Sequence, residues 1–379
     1  MITDPIAVFF VLAAVVAAAL WLEQNHRFFR AFGAALVGIL LGMALSNAGV
    51  IPGASPAYDF LVGPAVSAGS VLILLSVDIR TVVQAGPTML AAFAIGALGS
   101  AVGSSVGALL LSGMVGPETW KLAGQYAATY TGGGANFAAV GAALGTSGEL
   151  FAAGVAADVI VTAVWMATCL AVPVILSRAS GPTGGAGVEE IDHAAAAGKL
   201  YASAGAVSLM DVSLLVTIVL GTLWLSGILG EVAAPIPSVL WLTTIALLLA
   251  QIPRVGRIRG AGVLGNYLVL LFLASNGAKS VVANILAVGP PVVYFALITV
   301  ALHGVVIFGL GSLVGLDLRT LAVASQANVG GPASAMALAT ARGYADRLLP
   351  GVAVGLLGYA VGNYLGLGVA MVVRGMLGG

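Results

Sequence analysis

AATYTGGGANFAAVGAALG, residues Ala127–Gly145, and ASQANVGGPASAMALATARG, residues Ala324–Gly343, are two versions of one pattern. Gly132-Gly133 falls on Gly330-Gly331, 198 positions later. Each copy sets glycines and small polar side chains inside an apolar stretch. Non-helical backbone at membrane depth leaves N–H and C=O groups unpaired, and it survives only against protein or a water-filled cavity. The two copies therefore read as two halves of one site.

The medium follows from composition. Of the 379 residues, 60% are hydrophobic and 7% charged, whereas soluble domains carry roughly 25% charged residues. Mean hydropathy is +1.11. Ten apolar segments read as crossings of the lipid bilayer, near 5–22, 31–48, 59–77, 88–112, 150–177, 211–229, 235–251, 261–277, 291–314 and 349–373. A crossing helix needs about 20 residues. The first segment lacks the basic head of a cleaved signal and is expected to stay as an anchor. Net charge is zero, so no nucleic-acid partner is expected. A lone Cys169 excludes an intrachain disulfide or cysteine metal cluster, and His26, His193 and His303 are too scattered for a metal site. With no nucleophile–base set and no phosphate-binding glycine-lysine loop, neither enzymatic activity nor a cofactor beyond a transported Na⁺ or H⁺ is expected.

The duplication extends beyond the glycines. Gly86-Pro87 matches Gly289-Pro290 at an offset of 203, and Ala153-Gly154-Val155-Ala156 matches Pro350-Gly351-Val352-Ala353 at 197. Residues 1–177 and 207–379 thus read as two repeats, joined by a Gly/Ala-rich cytoplasmic linker at 178–206. Each repeat has five crossings and one glycine segment, near 119–145 and 320–341. Basic residues gather on the cytoplasmic side of a membrane protein. If both glycine segments dip in and return, with the termini outside, 11 of the 14 basic residues lie inside and 3 outside. If both cross, the split is 6 against 8. Re-entrant hairpins are therefore expected. An odd number of crossings inverts the second repeat, and inverted repeats with broken helices meeting near the midplane are the architecture of secondary transporters.

Gly132, Gly133 and Gly134 let the chain turn and let a ligand approach the backbone. The limb before each turn ends in free carbonyls that suit Na⁺, and the limb after it opens with N–H groups that suit an anion. Around the tips lie Tyr130, Thr131 and Asn136 in the first copy. Ser325, Gln326, Asn328 and Ser334 flank Gly330 and Gly331 in the second. These neutral donors and acceptors form the expected substrate site. Gly99, Gly103 and Gly107 read instead as helix-packing positions. Asp158 lies about nine residues inside the fifth crossing, where a carboxylate costs roughly 2.5–3.5 kcal/mol. It is the candidate for ion or proton coupling, with Na⁺ near Asp158, Thr131 and Asn328. His303 is a second coupling candidate, weighed against a satisfied structural histidine. Asp59 and Asp211 read as helix caps; Asp78 and Asp317 are expected to stay near water.

YTGGGANFAAVGAALG, GVAADVIVTAVW, NVGGPASAMALA and PGVAVGLLGYAVGNYLG together resemble the YjcL-like family of bacterial membrane proteins, domain of unknown function 819, over essentially the whole chain. More distantly, the layout is similar to sodium/glutamate symporters and citrate-type 2-hydroxycarboxylate transporters. That likeness implies glycine-tipped hairpins holding substrate and sodium in a body that moves as an elevator against a scaffold. The scaffold would be the first, second, sixth and seventh crossings, at a homodimer interface. Pro332 departs from the glycine often expected there, and the absence of an evident intramembrane arginine puts highly charged substrates in doubt.

The expected fold is thus all-α and polytopic, with two inverted repeats, about ten crossings and two hairpins. The expected function is cation-coupled transport of a small polar or anionic organic solute across a bacterial inner membrane, with Na⁺ favoured over H⁺. Two alternatives stand beside it: a cation/proton antiporter without organic substrate, and a non-transporting sensor or scaffold.

Overall fold

The computed structural model describes residues 1–178, 206–233, 236–279 and 282–378. The expected linker, 178–206, lies outside the described residues except for its two end positions. No strand occurs among the described residues. The helices are α1 (Pro5–Asn25), α2 (Arg27–Asn47), α3 (Pro56–Leu74), α4 (Ile79–Val83), α5 (Pro87–Val115), α6 (Thr119–Gly132), α7 (Gly134–Leu144), α8 (Gly148–Arg178), α9 (Leu209–Val232), α10 (Ser238–Ala250), α11 (Ala261–Ala278), α12 (Val282–Leu313), α13 (Leu318–Ala341) and α14 (Ala345–Met376).

Each of the ten expected crossings is a helix. Eight are long and apolar enough to cross a bilayer. The two expected at 31–48 and 235–251 are shorter: Gly33, at φ 73°, breaks α2 and leaves Gly33–Asn47, and α10 begins only after Pro237. Helix starts follow local chemistry. Asp4 caps α1 by accepting from Ala7 N at 2.8 Å, with Pro5 behind it. Ser208 and Asp211 form a capping box on α9. Asp59 is not a cap: α3 starts three residues earlier than expected, and Ser55 caps it. Within α3, Leu61–Ala65 widens to a π turn around Pro64, which has no N–H to keep the α ladder.

The chain forms two compact units. The first comprises Met1–Val77, Ala138–Val159 and Tyr201–Val292; the second comprises Asp78–Phe137, Ile160–Leu200 and Val293–Gly379. The first unit therefore holds α1–α3 and α9–α11, with a core of Val8, Leu12, Val15, Tyr58, Leu61 and Leu271. There α3 and α11 pack through facing glycines. A methyl placed on Gly69 would sit 3.0 Å from Gly265 O, and one on Gly265 would sit 2.9 Å from Gly69 O. A cleft of about 390 Å³ in this unit is lined mainly by apolar residues such as Val62, Pro64, Ala142 and Leu242. Its Ser70 hydroxyl is already spent on Val66 O.

In the second unit, α5 and α12 pack antiparallel. Gly99 lies against His303, Gly103 against Thr299 and Gly107 against Phe295, so one number rises as the other falls. These are the packing roles expected of the three glycines. Helix α14 provides a ruler for both glycine segments. Arg374, near its C-terminal end, lies 4.9 Å over the ring of Trp120 at the base of α6. A methyl on Gly358 would sit 2.9 Å from Gly132 Cα, and one on Gly362 would sit 2.6 Å from Asn136 Nδ2. So α6 descends to the level of Gly358, and the chain after the break climbs back. Gln125 Nε2 donates to Phe137 O at 3.4 Å, and the Tyr126 and Phe137 rings lie 5.9 Å apart. Twelve residues of straight helix would separate Gln125 and Phe137 by about 18 Å.

The second segment does the same from the other end of α14. Near its start, Arg347 reaches Asp317 at 3.4 Å and Thr320 Oγ1 at 3.2 Å. Val323 and Ala335, twelve positions apart, both flank Gly351, and a methyl on Gly355 would sit 2.6 Å from Pro332 N. Both glycine segments are thus helical hairpins based at opposite ends of α14, with their tips against its middle.

Candidate functional site

The turn of each hairpin is one glycine. Gly133 has φ 86° and ψ 178°, and Gly331 has φ 73° and ψ −168°. This region is essentially closed to residues with a Cβ. The two turns touch: a methyl on Gly133 would lie 3.8 Å from Gly331 Cα. Gly134 is exposed, Gly330 and Ala333 are half-buried, and the residues behind them are closed off, so the junction opens on one side. Tyr359 of α14 stands at both turns, with its ring edge 3.9 Å from the methyl position of Gly133 and its hydroxyl 3.8 Å from that of Gly331.

Behind the turns the side chains divide into satisfied and unsatisfied groups. Asn136 Nδ2 donates to Asn363 Oδ1 at 3.0 Å and Tyr359 O at 3.1 Å, which fixes the start of α7 on α14. The Thr131 hydroxyl donates to Ala127 O at 2.8 Å, so its lone pairs alone remain for a ligand. Tyr130 leaves helical geometry at ψ 18° and stacks on Tyr126 at 5.5 Å. Its carbonyl accepts from Ser100 Oγ at 2.5 Å. Ser334 sits against Gly330, as Asn136 sits against Gly132.

Among the buried polar atoms that have no hydrogen-bond partner among the described residues are Thr129 Oγ1, Asn136 Oδ1, and both amide atoms of Gln326 and of Asn328. Gln326, Asn328 and Thr129 are fully buried. Each such group costs about 1–3 kcal/mol, and native proteins leave few of them without water, ion or ligand. No Asp, Glu, Lys or Arg occurs in residues 122–144, 320–341 or 349–373. The donor set at the tips is therefore neutral, which suits a monovalent ion or a solute of low charge and not a divalent cation, whose sites are built from carboxylates.

His303 lies in the same unit, fully buried. Its Nδ1 is 2.8 Å from Gly96 O and 3.0 Å from Ser100 Oγ, and its Nε2 is 2.9 Å from Ser325 Oγ. Ser325 also accepts from Trp165 Nε1 at 2.9 Å and from Cys169 Sγ at 3.7 Å. Asp158 is half-buried on α8 and belongs to the first unit, whereas both tips belong to the second.

The structure thus brings together Tyr130, Thr131, Gly132, Gly133, Gly134, Asn136, Gln326, Asn328, Gly330, Gly331 and Ser334 around one junction, with Ser325 and His303 behind it. Thr129, Ser100, Trp165, Tyr359 and Asn363 join them without having been singled out from sequence. The spacing Gly351, Gly355, Gly358, Gly362 on α14 was the available signal for the last two.

The family described as "Protein of unknown function (DUF819)" matches residues 10–376, and the chain belongs to it. It is 30% identical over 378 residues to "Uncharacterized membrane protein YjcL" of Bacillus subtilis (strain 168), covering 94% of this chain and 93% of that one. With its eight apolar helices, the protein is a multi-pass membrane protein of this family.

Proposed function

We propose that the protein is a sodium-coupled secondary transporter of a small polar or anionic organic solute in a bacterial inner membrane. One observation carries this reading: two glycine-hinged hairpins meet tip to tip, with unpartnered, buried, neutral side chains from both beside the junction. Helix α6 ends there in carbonyls, and α7 and the limb after Gly331 begin there with N–H groups. Such ends favour a cation and a carboxylate respectively. Asp158, which belongs to the first unit, is the proposed coupling carboxylate.

The two repeats are inverted in this proposal. Supporting it, residues about 200 positions apart face each other within each unit: Gly69 and Gly265, Ser100 and His303, Gly133 and Gly331. The first unit holds the helices expected as scaffold and dimer contact together with the first hairpin from Ala138 on, and the second holds both hairpin tips and the whole second hairpin. In an elevator mechanism the hairpins and the fifth and tenth crossings would form the moving body. The termini are proposed to lie outside.

A thermal-shift screen of purified protein against small carboxylates and amino acids, with and without Na⁺, tests the reading. A sodium-dependent hit is expected. Proton release from empty proteoliposomes on adding Na⁺, with no organic hit, would replace symport by cation/proton exchange. No response to any ion or solute would end the assignment.

A further inference from the structure

The protons around His303 can be placed one by one. Gly96 O can only accept, so the Nδ1 atom 2.8 Å away must carry a hydrogen. Ser100 Oγ has one hydrogen, and its closest acceptor is Tyr130 O at 2.5 Å. Toward His303 Nδ1, at 3.0 Å, Ser100 therefore accepts. On the other side, Ser325 Oγ already receives the Trp165 indole N–H at 2.9 Å and the Cys169 thiol at 3.7 Å. Its own hydrogen is left to point at His303 Nε2, 2.9 Å away, which must then be the bare acceptor nitrogen. The neutral Nδ1–H imidazole satisfies every atom in this set. A second ring proton would turn Nε2 into a donor. Ser325 would then face three donors, and its own hydrogen would have no strong acceptor. No acid or base other than Cys169 occurs among these contacts on α5, α8 and α13.

The set has a direction. It starts at the carbonyl of Tyr130, in the last turn before the Gly133 hinge. It passes through Ser100 and His303 and ends at Ser325, one residue before Gln326 and three before Asn328. We propose that Ser100 and His303 form a neutral strut tying the first hairpin to the second, and that His303 is a positioning residue through which no coupling proton passes. This inference rests on the transporter reading for its purpose but not for its test. The strut fixes the spacing of the Tyr130 carbonyl and the Gln326 and Asn328 amides, so the two hairpins carry their ligand as one body and do not part at their tips.

The test uses full-length protein in lipid nanodiscs, ¹⁵N-labelled at histidine, with His26→Gln and His193→Gln so that one imidazole remains. Protonated Nδ1 and bare Nε2 are expected, unchanged from about pH 5.5 to 8.5, a range that spans the ordinary histidine value. Titration within that range, or the opposite tautomer, overturns the proposal. A second arm measures stabilisation by NaCl against choline chloride in Ser100→Ala. Cutting the tie to Tyr130 is expected to weaken the apparent sodium affinity roughly tenfold while the His303 tautomer persists. Unchanged affinity would show that the strut does not position the site. If the parent protein shows no sodium response, the sodium reading falls, and the imidazole spectrum still decides the strut.

Discussion

Ser100 and His303 stand 203 positions apart in the chain and 3.0 Å apart in space. They lie on antiparallel helices in which Gly86-Pro87, at the start of α5, and Gly289-Pro290, within α12, are offset by the same 203. Two residues that match in sequence can touch on antiparallel partners only where a two-fold operation would exchange them. This pair therefore supports the proposed inversion.

The unpartnered amides predict an inverse relation between stability and response. Asn328→Leu and Gln326→Met keep the approximate volume and remove buried groups that cost about 1–3 kcal/mol each. Both variants are expected to raise the apparent Tm in sodium-free buffer and to lose the sodium-dependent shift. A lower Tm in sodium-free buffer, or a retained shift, would mean that these amides are satisfied and idle.

Glycines on α14 are expected to differ by position. A methyl on Gly358 would press on the Gly132 backbone at 2.9 Å, whereas one on Gly368 would meet nothing within 4 Å. Backbone cannot swing aside as a side chain can, so Gly358→Ala should cost about 1–3 kcal/mol and Gly368→Ala almost nothing. Equal melting temperatures for the two variants would contradict the packing described.

The hinges are limited by conformation, not by space. Gly133→Ala and Gly331→Ala have room for the methyl, but each puts a Cβ where φ is 86° or 73°. Strain of about 1–3 kcal/mol is expected in each, together with loss of sodium-dependent stabilisation. Wild-type sodium response in both would remove the tips from the site.

Asn136 and Asn363 are expected to act as a pair. Each single change to Ala should lower the apparent Tm, and the double variant should lose less than the sum. The coupling energy should fall within about 0.5–3 kcal/mol. Strict additivity would show that the 3.0 Å bond between them contributes nothing.

Asp317 gives a pH signature at the base of the second hairpin. Partial burial raises its pKa, but bonds from the Thr320 hydroxyl and N–H and the charge of Arg347 outweigh burial and hold it below the ordinary carboxylate value. A depressed folded-state pKa stabilises fully above the unfolded value of about 3.9 and loses that contribution as pH falls through the folded value. Asp317→Ala should therefore cost about 1 kcal/mol at pH 7 through the lost cap. The gap to the parent should narrow below about pH 4. A gap of constant size from pH 7 to pH 3 would refute the assignment.

Much of the site could be read in the sequence because its rarest features are local. Three consecutive glycines beside Tyr, Thr and Asn have few explanations inside an apolar stretch, and their return 198 residues later removed most of those. Ser100 and Asn363 left no such mark. A serine among glycines and an asparagine in an apolar helix become site residues only through the carbonyl or amide that another helix brings within 3 Å. The cap of α3 depends on context for a related reason: Asp59 and Ser55 are both capable caps, and Pro56 at the first helical position decides for Ser55.

The order of residues alone determined that this chain dissolves in lipid, that its helices lie where apolar runs approach about 20 residues, and that two of its segments carry glycines where the chain is free to bend. Hydropathy and backbone freedom are properties of single residues, so these outcomes need no knowledge of neighbours. Which atoms were left without partners was settled only in three dimensions. Thr131 spends its hydroxyl on its own helix while Gln326 and Asn328 spend nothing, and that difference depends on what α5, α12 and α14 place beside each hairpin.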